Sequence, residues 1–227
     1  MRMLDLFCGR FGWGKAFAAR GWEVVGVDLI DPPQLPDGKV SYWKLDVLEL
    51  NWEGKFAGFE APGAWLGLFD FVCASSPCEN FSVHGQKHFH PNPPYPEMGI
   101  KLFNHTRQIC EESKLPYVIE NVRPAQKFVG RAVHHFGAFY LWGNAVPPLL
   151  PKSGIVNKGI DVGSSKLIKT MTKEQKRAYR AQFVWNQAWS SSKERKRDTA
   201  KAAEIPPELA NCVADYAERL IEQRRCA

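Results

Sequence analysis

Apolar residues along the first two thirds of the chain fall into short unbroken runs separated by stretches in which they are spaced. "MLDLF" (3–7) and "WEVVGVD" (22–28) are rich in branched residues, the pattern of strands buried on both faces. Between them, "GWGKAFAARG" (12–21) sets Trp13, Ala16 and Phe17 at helical spacing, with Gly21 as the stop. "FDFVCA" (69–74) and "PYVIEN" (116–121) predict two more strands. A helix over 98–113 joins them, with Leu102, Thr106, Ile109 and Cys110 on one face. "FGAFYLWG" (136–143) reads as one further strand, and the proline-led segment 206–225 as a closing helix. Alternating strands and helices predict an α/β fold, a doubly wound and mostly parallel sheet.

Two stretches break the pattern. Residues 83–97, "VHGQKHFHPNPPYPE", hold four prolines and no period, as functional loops often do. Residues 151–200 are basic, with a helix predicted over 172–188. Charge sharpens the division. Residues 1–150 carry 14 Lys+Arg against 15 Asp+Glu, whereas 151–227 carry 16 against 9. A near-neutral body with a basic last third suggests a polyanionic partner, nucleic acid first, against the plainer reading of a solvated helical face. The expected organisation is a catalytic and cofactor-binding domain over 1–150, a small basic region over 151–201 and a packed-back helix over 202–227. Six cysteines without a CxxC pair argue against structural zinc and a disulfide framework. With no apolar run of membrane-spanning length and a strand starting almost at once, a cytoplasmic protein is expected.

The ends of the expected strands carry the chemistry. Gly9, Gly12 and Gly14 lie between a strand and a helix, where backbone can approach a nucleotide-like ligand. Asp28 ends the second strand, where an acid commonly holds ribose hydroxyls, and Asp46 lies near the next strand end. Cys73 lies inside an apolar run and reads as core. Cys78 follows Pro77 on a polar turn, and Glu120 closes a later strand. In an open parallel sheet these positions meet along one edge.

"DLFCG" at the glycine loop, "SPCENFS" around Cys78 and "GIKLFNHTRQICEESKLPYVIENVR" ending in Glu-Asn-Val resemble the DNA cytosine-5 methyltransferases over residues 3–143. "AEIPPELANCVADY" resembles the closing helix of compact, phage-type members. The resemblance implies a Rossmann-like fold that binds S-adenosyl-L-methionine and acts on double-stranded DNA as a monomer. It implies that Cys78 adds to cytosine C6, that Glu120 holds N3 and the exocyclic amine, and that Asn121 and Arg123 complete the catalytic set. The cofactor set it implies is Phe7, Gly9, Gly12, Asp28, Leu29, Asp46, Pro77 and Leu102, with Phe7 stacked on adenine. Ser82, Lys87, His88, Arg131 and His135 would meet DNA near a flipped base, with 83–97 as a lid. Lys193, Arg195, Lys196 and Arg197 would do so from a target-recognition region over 151–201, reading a site of roughly two to four base pairs.

The chain departs from that pattern in three places. Glu79 stands where the family has Gln, "CGRFGWG" is bulkier than the usual glycine loop, and "VHHFG" replaces a Gln/Arg cluster. Arg123, Arg131 or His135 would have to supply that cluster's contacts. His84, His88 and His90 lack the partners of a metal site. "GNAVPP" (143–148) reads as a strand exit, with Asn144 a minor cofactor candidate, and Phe139, Tyr140 and Trp142 read as core. Two rivals stay open, an RNA cytosine methyltransferase and an inactive DNA-binding relic.

Overall fold

The computed structural model describes residues 1–50, 66–79, 81, 96–151, 172–175 and 204–226. Seven strands form one sheet: β1 (Arg2–Leu6), β2 (Glu23–Asp28), β3 (Val40–Lys44), β4 (Phe71–Ser75), β5 (Tyr117–Asn121), β6 (His134–Phe136) and β7 (Phe139–Trp142). Their order is β3-β2-β1-β4-β5-β7-β6. β3, β2, β1, β4 and β5 run parallel, and β7 pairs antiparallel with both β5 and β6. The fold is the α/β, doubly wound, mostly parallel sheet that the runs predict.

Among the described residues, four helices flank it: α1 (Gly14–Ala18), α2 (Pro96–Ser113), α3 (Gln126–Val129) and α4 (Pro207–Cys226). The period of two along each strand builds two cores. Met3, Val24, Phe71, Cys73 and Val118 face one side with α1 and the buried stripe of α4, Leu209, Val213 and Ala217. Leu4, Leu6, Val25, Val72 and Ile119 face the other with Phe103 and Ile109 of α2. The turn after α1 closes as expected at Gly21, at φ +79°, with Gly21 N–H donating to Ala18 and Trp22 N–H to Phe17. Arg20, on that turn, donates to Asp215 (2.7 Å) and to Asn211, and Trp22 Nε1 donates to Glu218 (2.9 Å), fastening α4 to α1.

Three details differ from the sequence reading. The segment 136–143 is not one strand: Phe136 ends β6, Gly137 and Ala138 turn, and β7 runs back. Gly137, at φ +58°, allows that turn inside an otherwise continuous aromatic run. β3 is a strand with no fully buried residue, so its apolar run is weak. On α2, Phe103 takes the fully buried position, and Leu102 is half-buried.

Residues Met1–Val156 and Ile205–Ala227 make one compact unit, and Asn157–Glu204 a second. Within the second, Thr172 and Gln175 cap one helical turn reciprocally, each side chain accepting the other's backbone N–H. No helix among the described residues is long and apolar enough to cross a membrane.

Candidate active site

β1 and β4 lie side by side at the centre of the sheet, but the chain leaves them in opposite directions, β1 toward β2 and β4 toward β5. The crevice beyond their carboxyl ends is the switch point at which open α/β sheets bind ligands. Phe7–Trp13 forms one wall, and Ser76–Cys78 forms the other.

The first wall is pinned from below. Gly9 N–H donates to Asp28 Oδ2 (2.9 Å), whose other oxygen accepts from Ile30 N–H (3.1 Å). Phe7, Gly9 and Phe11 all hold positive φ, at 56°, 48° and 57°. The bulk of "CGRFGWG" turns inward: Phe11 is fully buried and Trp13 is 1 % exposed. Phe11 lies across Gly26 of β2, where an added Cβ would meet the ring at 2.4 Å. Small residues are therefore not needed at positions 11 and 13 to keep the crevice open. Gly12 is accounted for by packing, since a Cβ there would lie 2.8 Å from Ile205 N.

Beneath the loop is a residue the sequence reading passed over. Asp5, on β1, is 1 % exposed; its Oδ2 accepts from Gly14 N–H (3.1 Å), and its Oδ1 has no partner among the described residues. Burial, with the negative charge of Asp28, pushes its carboxyl up to about 8, and the Gly14 N–H offsets this in part. The signal was there, a carboxylate in the middle of the apolar run "MLDLF". The neighbouring Cys8 thiol is pushed up strongly by burial, then by Asp5 and Asp28.

Beyond Asp28, Leu29 and Ile30 are 60 % and 75 % exposed, an apolar surface beside a carboxylate. Asp46 has a local task, its Oδ1 accepting from Leu48 N–H (2.9 Å) to cap the 3₁₀ turn Val47–Glu49. His105 of α2 holds the same turn, Nε2 donating to the carbonyls of Val47 and Leu50. Phe7 is half-buried.

The second wall is held from both faces of the sheet. Ser75 Oγ accepts from Trp13 Nε1 (2.9 Å), and Ser76 accepts Asn121 Nδ2 at its carbonyl (3.0 Å) and its Oγ (2.9 Å). Asn121 Oδ1 accepts from Val122 N–H, so this fully buried side chain is spent on fixing the turn. Sequence reasoning placed Asn121 among the catalytic groups; in the structure its side chain is bonded to Ser76 and to Val122 N–H. Pro77 and Cys78 follow, both half-buried. Phe81 N–H donates to the Cys78 carbonyl (3.0 Å), and the Phe81 ring is buried against Phe128. Glu120 is 2 % exposed and pairs in register with Ser75, which brings it to the same edge as Cys78. Glu79 and Arg123 are exposed at that edge. Cys73 and Cys110 are buried thiols whose pKa values burial raises.

Three candidates are not drawn in. His135 is level with Asn121 through Tyr140, but two strands away, roughly 10 Å at ordinary strand spacing. It stacks on half-buried Tyr140, centroids 4.9 Å apart, while Phe139 and Trp142 are core. Arg131 belongs to a shallow cleft with Arg107, Tyr117 and Gly143, at the amino end of β5, away from Cys78. Asn144 is there too, its side chain bonded to Tyr117 N–H and the Leu115 carbonyl, which accounts for it without a cofactor. Ser82, Lys87, His88, Lys193, Arg195, Lys196 and Arg197 lie outside the described residues, as do His84 and His90. Among the described residues no cluster of three or more His, Cys, Asp or Glu could hold a metal.

No protein-family model matches the chain, and no curated protein matches it. Among solved structures, one that is similar is a provisionally assigned DNA modification methyltransferase encoded within a prophage of E. coli. It is 19% identical, with a TM-score of 0.36, over 54% of this chain and 32% of that one. Another is a provisionally assigned NADH-flavin reductase from Streptococcus pneumoniae, 19% identical, with a TM-score of 0.30, over 52% of this chain and 46% of that one. The match thus spans less than half the length of either structure.

Proposed function

We propose that the chain transfers a methyl group from S-adenosyl-L-methionine to C5 of a flipped-out cytosine in duplex DNA. One observation carries the reading: Cys78, on a turn clamped by Asn121, and Glu120, on the adjacent strand, share the switch-point edge with a glycine loop pinned to Asp28.

The residues present fit the cofactor. The Asp28 carboxylate can accept from ribose hydroxyls, exposed Leu29 and Ile30 offer an apolar surface to a purine, and Gly9 leaves backbone open. When bound, it supplies an electrophilic methyl group on a sulfonium.

The chain's own residues do the rest. Cytosine C5 is a poor nucleophile, so the Cys78 thiolate first adds to C6, and the electron pair of the C5–C6 double bond moves onto C5, delocalised through C4 to N3. Glu120 supplies a hydrogen bond at N3 and accepts from the exocyclic amine, which stabilises the charge that builds there. C5 would then take the methyl group, the electron pair of the broken S–CH3 bond leaving on the thioether sulfur of S-adenosyl-L-homocysteine, and loss of the C5 proton to solvent with expulsion of the Cys78 thiolate would restore the aromatic base. Arg123, exposed at the same edge, is available to the flipped nucleotide's phosphate, and the basic stretch around Lys193–Arg197 to the flanking duplex.

A duplex carrying 5-fluorocytosine tests this, because fluorine cannot leave as a cation and the Cys78 adduct persists. The wild type should give a denaturation-resistant complex with labelled cofactor, and Cys78→Ser none. No adduct on DNA would end the reading, and adduct formation on an RNA oligonucleotide alone would move it to RNA.

A further inference from the structure

Ser75 and Ser76, consecutive residues at the exit of β4, are held from opposite faces of the sheet. Ser76 is 4 % exposed and takes both of its bonds from Asn121, a β5 residue. Ser75 takes its bond from Trp13, a residue of the glycine loop. Pro77, with its fixed φ, and Cys78 come directly after them. The chain thus contains a short hydrogen-bonded connection between the proposed cofactor loop and the proposed nucleophile.

We propose that Trp13 is a positioning residue that couples occupancy of the glycine loop to the placement of the Cys78 thiol. This rests on reading that loop as the S-adenosylmethionine site. Trp13 is suited to the role because a buried indole N–H must find an acceptor, and Ser75 Oγ at 2.9 Å is that acceptor. The loop around it is stiff. Gly9 is bonded to Asp28, Phe11 is wedged over Gly26, and Gly14 is bonded to Asp5. A ligand that settles against Gly9 and Asp28 therefore loads the whole turn, and Trp13 lies between two of its anchors. On the receiving side Asn121 fixes Ser76, so a displacement at Ser75 tilts the Pro77–Cys78 segment about a held point. The coupling is a difference in free energy between two arrangements of one turn, and it requires the bond between Trp13 and Ser75.

The alternative is direct shielding, in which bound cofactor merely covers the thiol. The two differ in what happens when the indole bond is removed. The rate of Cys78 alkylation by iodoacetamide, followed by peptide mass mapping, would be measured with and without saturating S-adenosylhomocysteine. The proteins are wild type, Trp13→Phe, Ser75→Ala and Ser75→Thr. The expected wild-type change is roughly twofold to tenfold, the scale of one neutral hydrogen bond. It should fall to near one in Trp13→Phe and in Ser75→Ala, and return in Ser75→Thr, which keeps the hydroxyl. Ser75→Ala leaves Trp13 in the core, so the test holds even if Trp13→Phe folds poorly. A change of undiminished size in both bond-breaking variants overturns the coupling in favour of shielding. So does a wild-type rate that does not move although calorimetry shows the ligand bound. No binding by calorimetry overturns the reading of the loop itself, and the coupling with it, and the isotherm tells that failure from the other two.

Discussion

Replacing Asp5 with asparagine removes an ionisable group and almost nothing else. The amide side chain keeps an oxygen to accept from Gly14 N–H at the position of Oδ2, and it puts an NH₂ group where Oδ1 now has no partner among the described residues. The native carboxyl holds its proton up to about pH 8, while the unfolded chain releases it near 3.8. Between those values folding takes up a proton, so the wild type loses stability as pH rises, and the loss levels off once both states are ionised. Each pH unit inside the window corresponds to about 1.4 kcal/mol at most. From pH 6 to pH 8 the wild type should therefore lose about 2 kcal/mol relative to the Asp5→Asn variant. For a chain of this size that is a divergence in Tm of roughly 4–8 °C. Thermal unfolding by circular dichroism from pH 5 to pH 9 reads it directly, with the difference between the two curves as the observable. Parallel curves would show that Asp5 ionises normally in the folded chain, by local opening or entry of water. A wild type that gained on the variant with rising pH would reverse the sign and refute the burial argument outright.

Glu120→Gln should fold and bind cofactor but lose methyl transfer by about a hundredfold or more, because an amide cannot serve N3 as the carboxyl does; single-turnover rates decide. Gly26→Ala should cost about 1–3 kcal/mol, since its Cβ would meet the Phe11 ring at 2.4 Å, and the double change with Phe11→Leu should recover part of it in urea unfolding. Alanine at Lys193, Arg195, Lys196 and Arg197 together should weaken duplex binding and reduce the slope of log K against log salt by about 0.9 for each phosphate no longer neutralised, leaving cofactor affinity unchanged. If the four-alanine variant binds normally and Lys87→Ala does not, docking belongs to the loop around residue 87.

The sheet was readable because β1, β2, β4 and β5 are buried on both faces, so their sequences are nearly continuous apolar runs bounded by turns. The edges were harder for the same reason in reverse. β3 and β6 hold few buried residues, and no run marks them. The turn of the β6–β7 hairpin hid inside "FGAFYLWG" because both its strands are aromatic at the turn, and one glycine with an alanine was the whole signal for reversal. α4 was legible from its proline start and from apolar spacing that a helix turns into the stripe Leu209, Val213, Ala217 and Ile221.

The site was legible to the degree that its residues stand at strand ends, since a strand end fixes position along the edge whatever the side chain does. Cys78, Glu120 and Asp28 follow from that rule alone, and the sheet brings their elements to one edge. What a strand end does not fix is whether a polar group is free for a ligand or already bonded within the fold. Asn121 is bonded to Ser76, Asp46 to Leu48 and Asn144 to Tyr117, and each of these bonds spans a turn or joins two elements that sequence spacing does not relate. Bulk misleads in the same way. Phe11 and Trp13 look like obstructions in a loop that should be small, yet a residue in a turn at φ +57° and its neighbours can direct side chains into the core beneath. That inward turn needs room in the next strand, and Gly26 provides it. The bulky loop and the glycine in β2 are one adaptation, two residues fifteen positions apart that make sense only together.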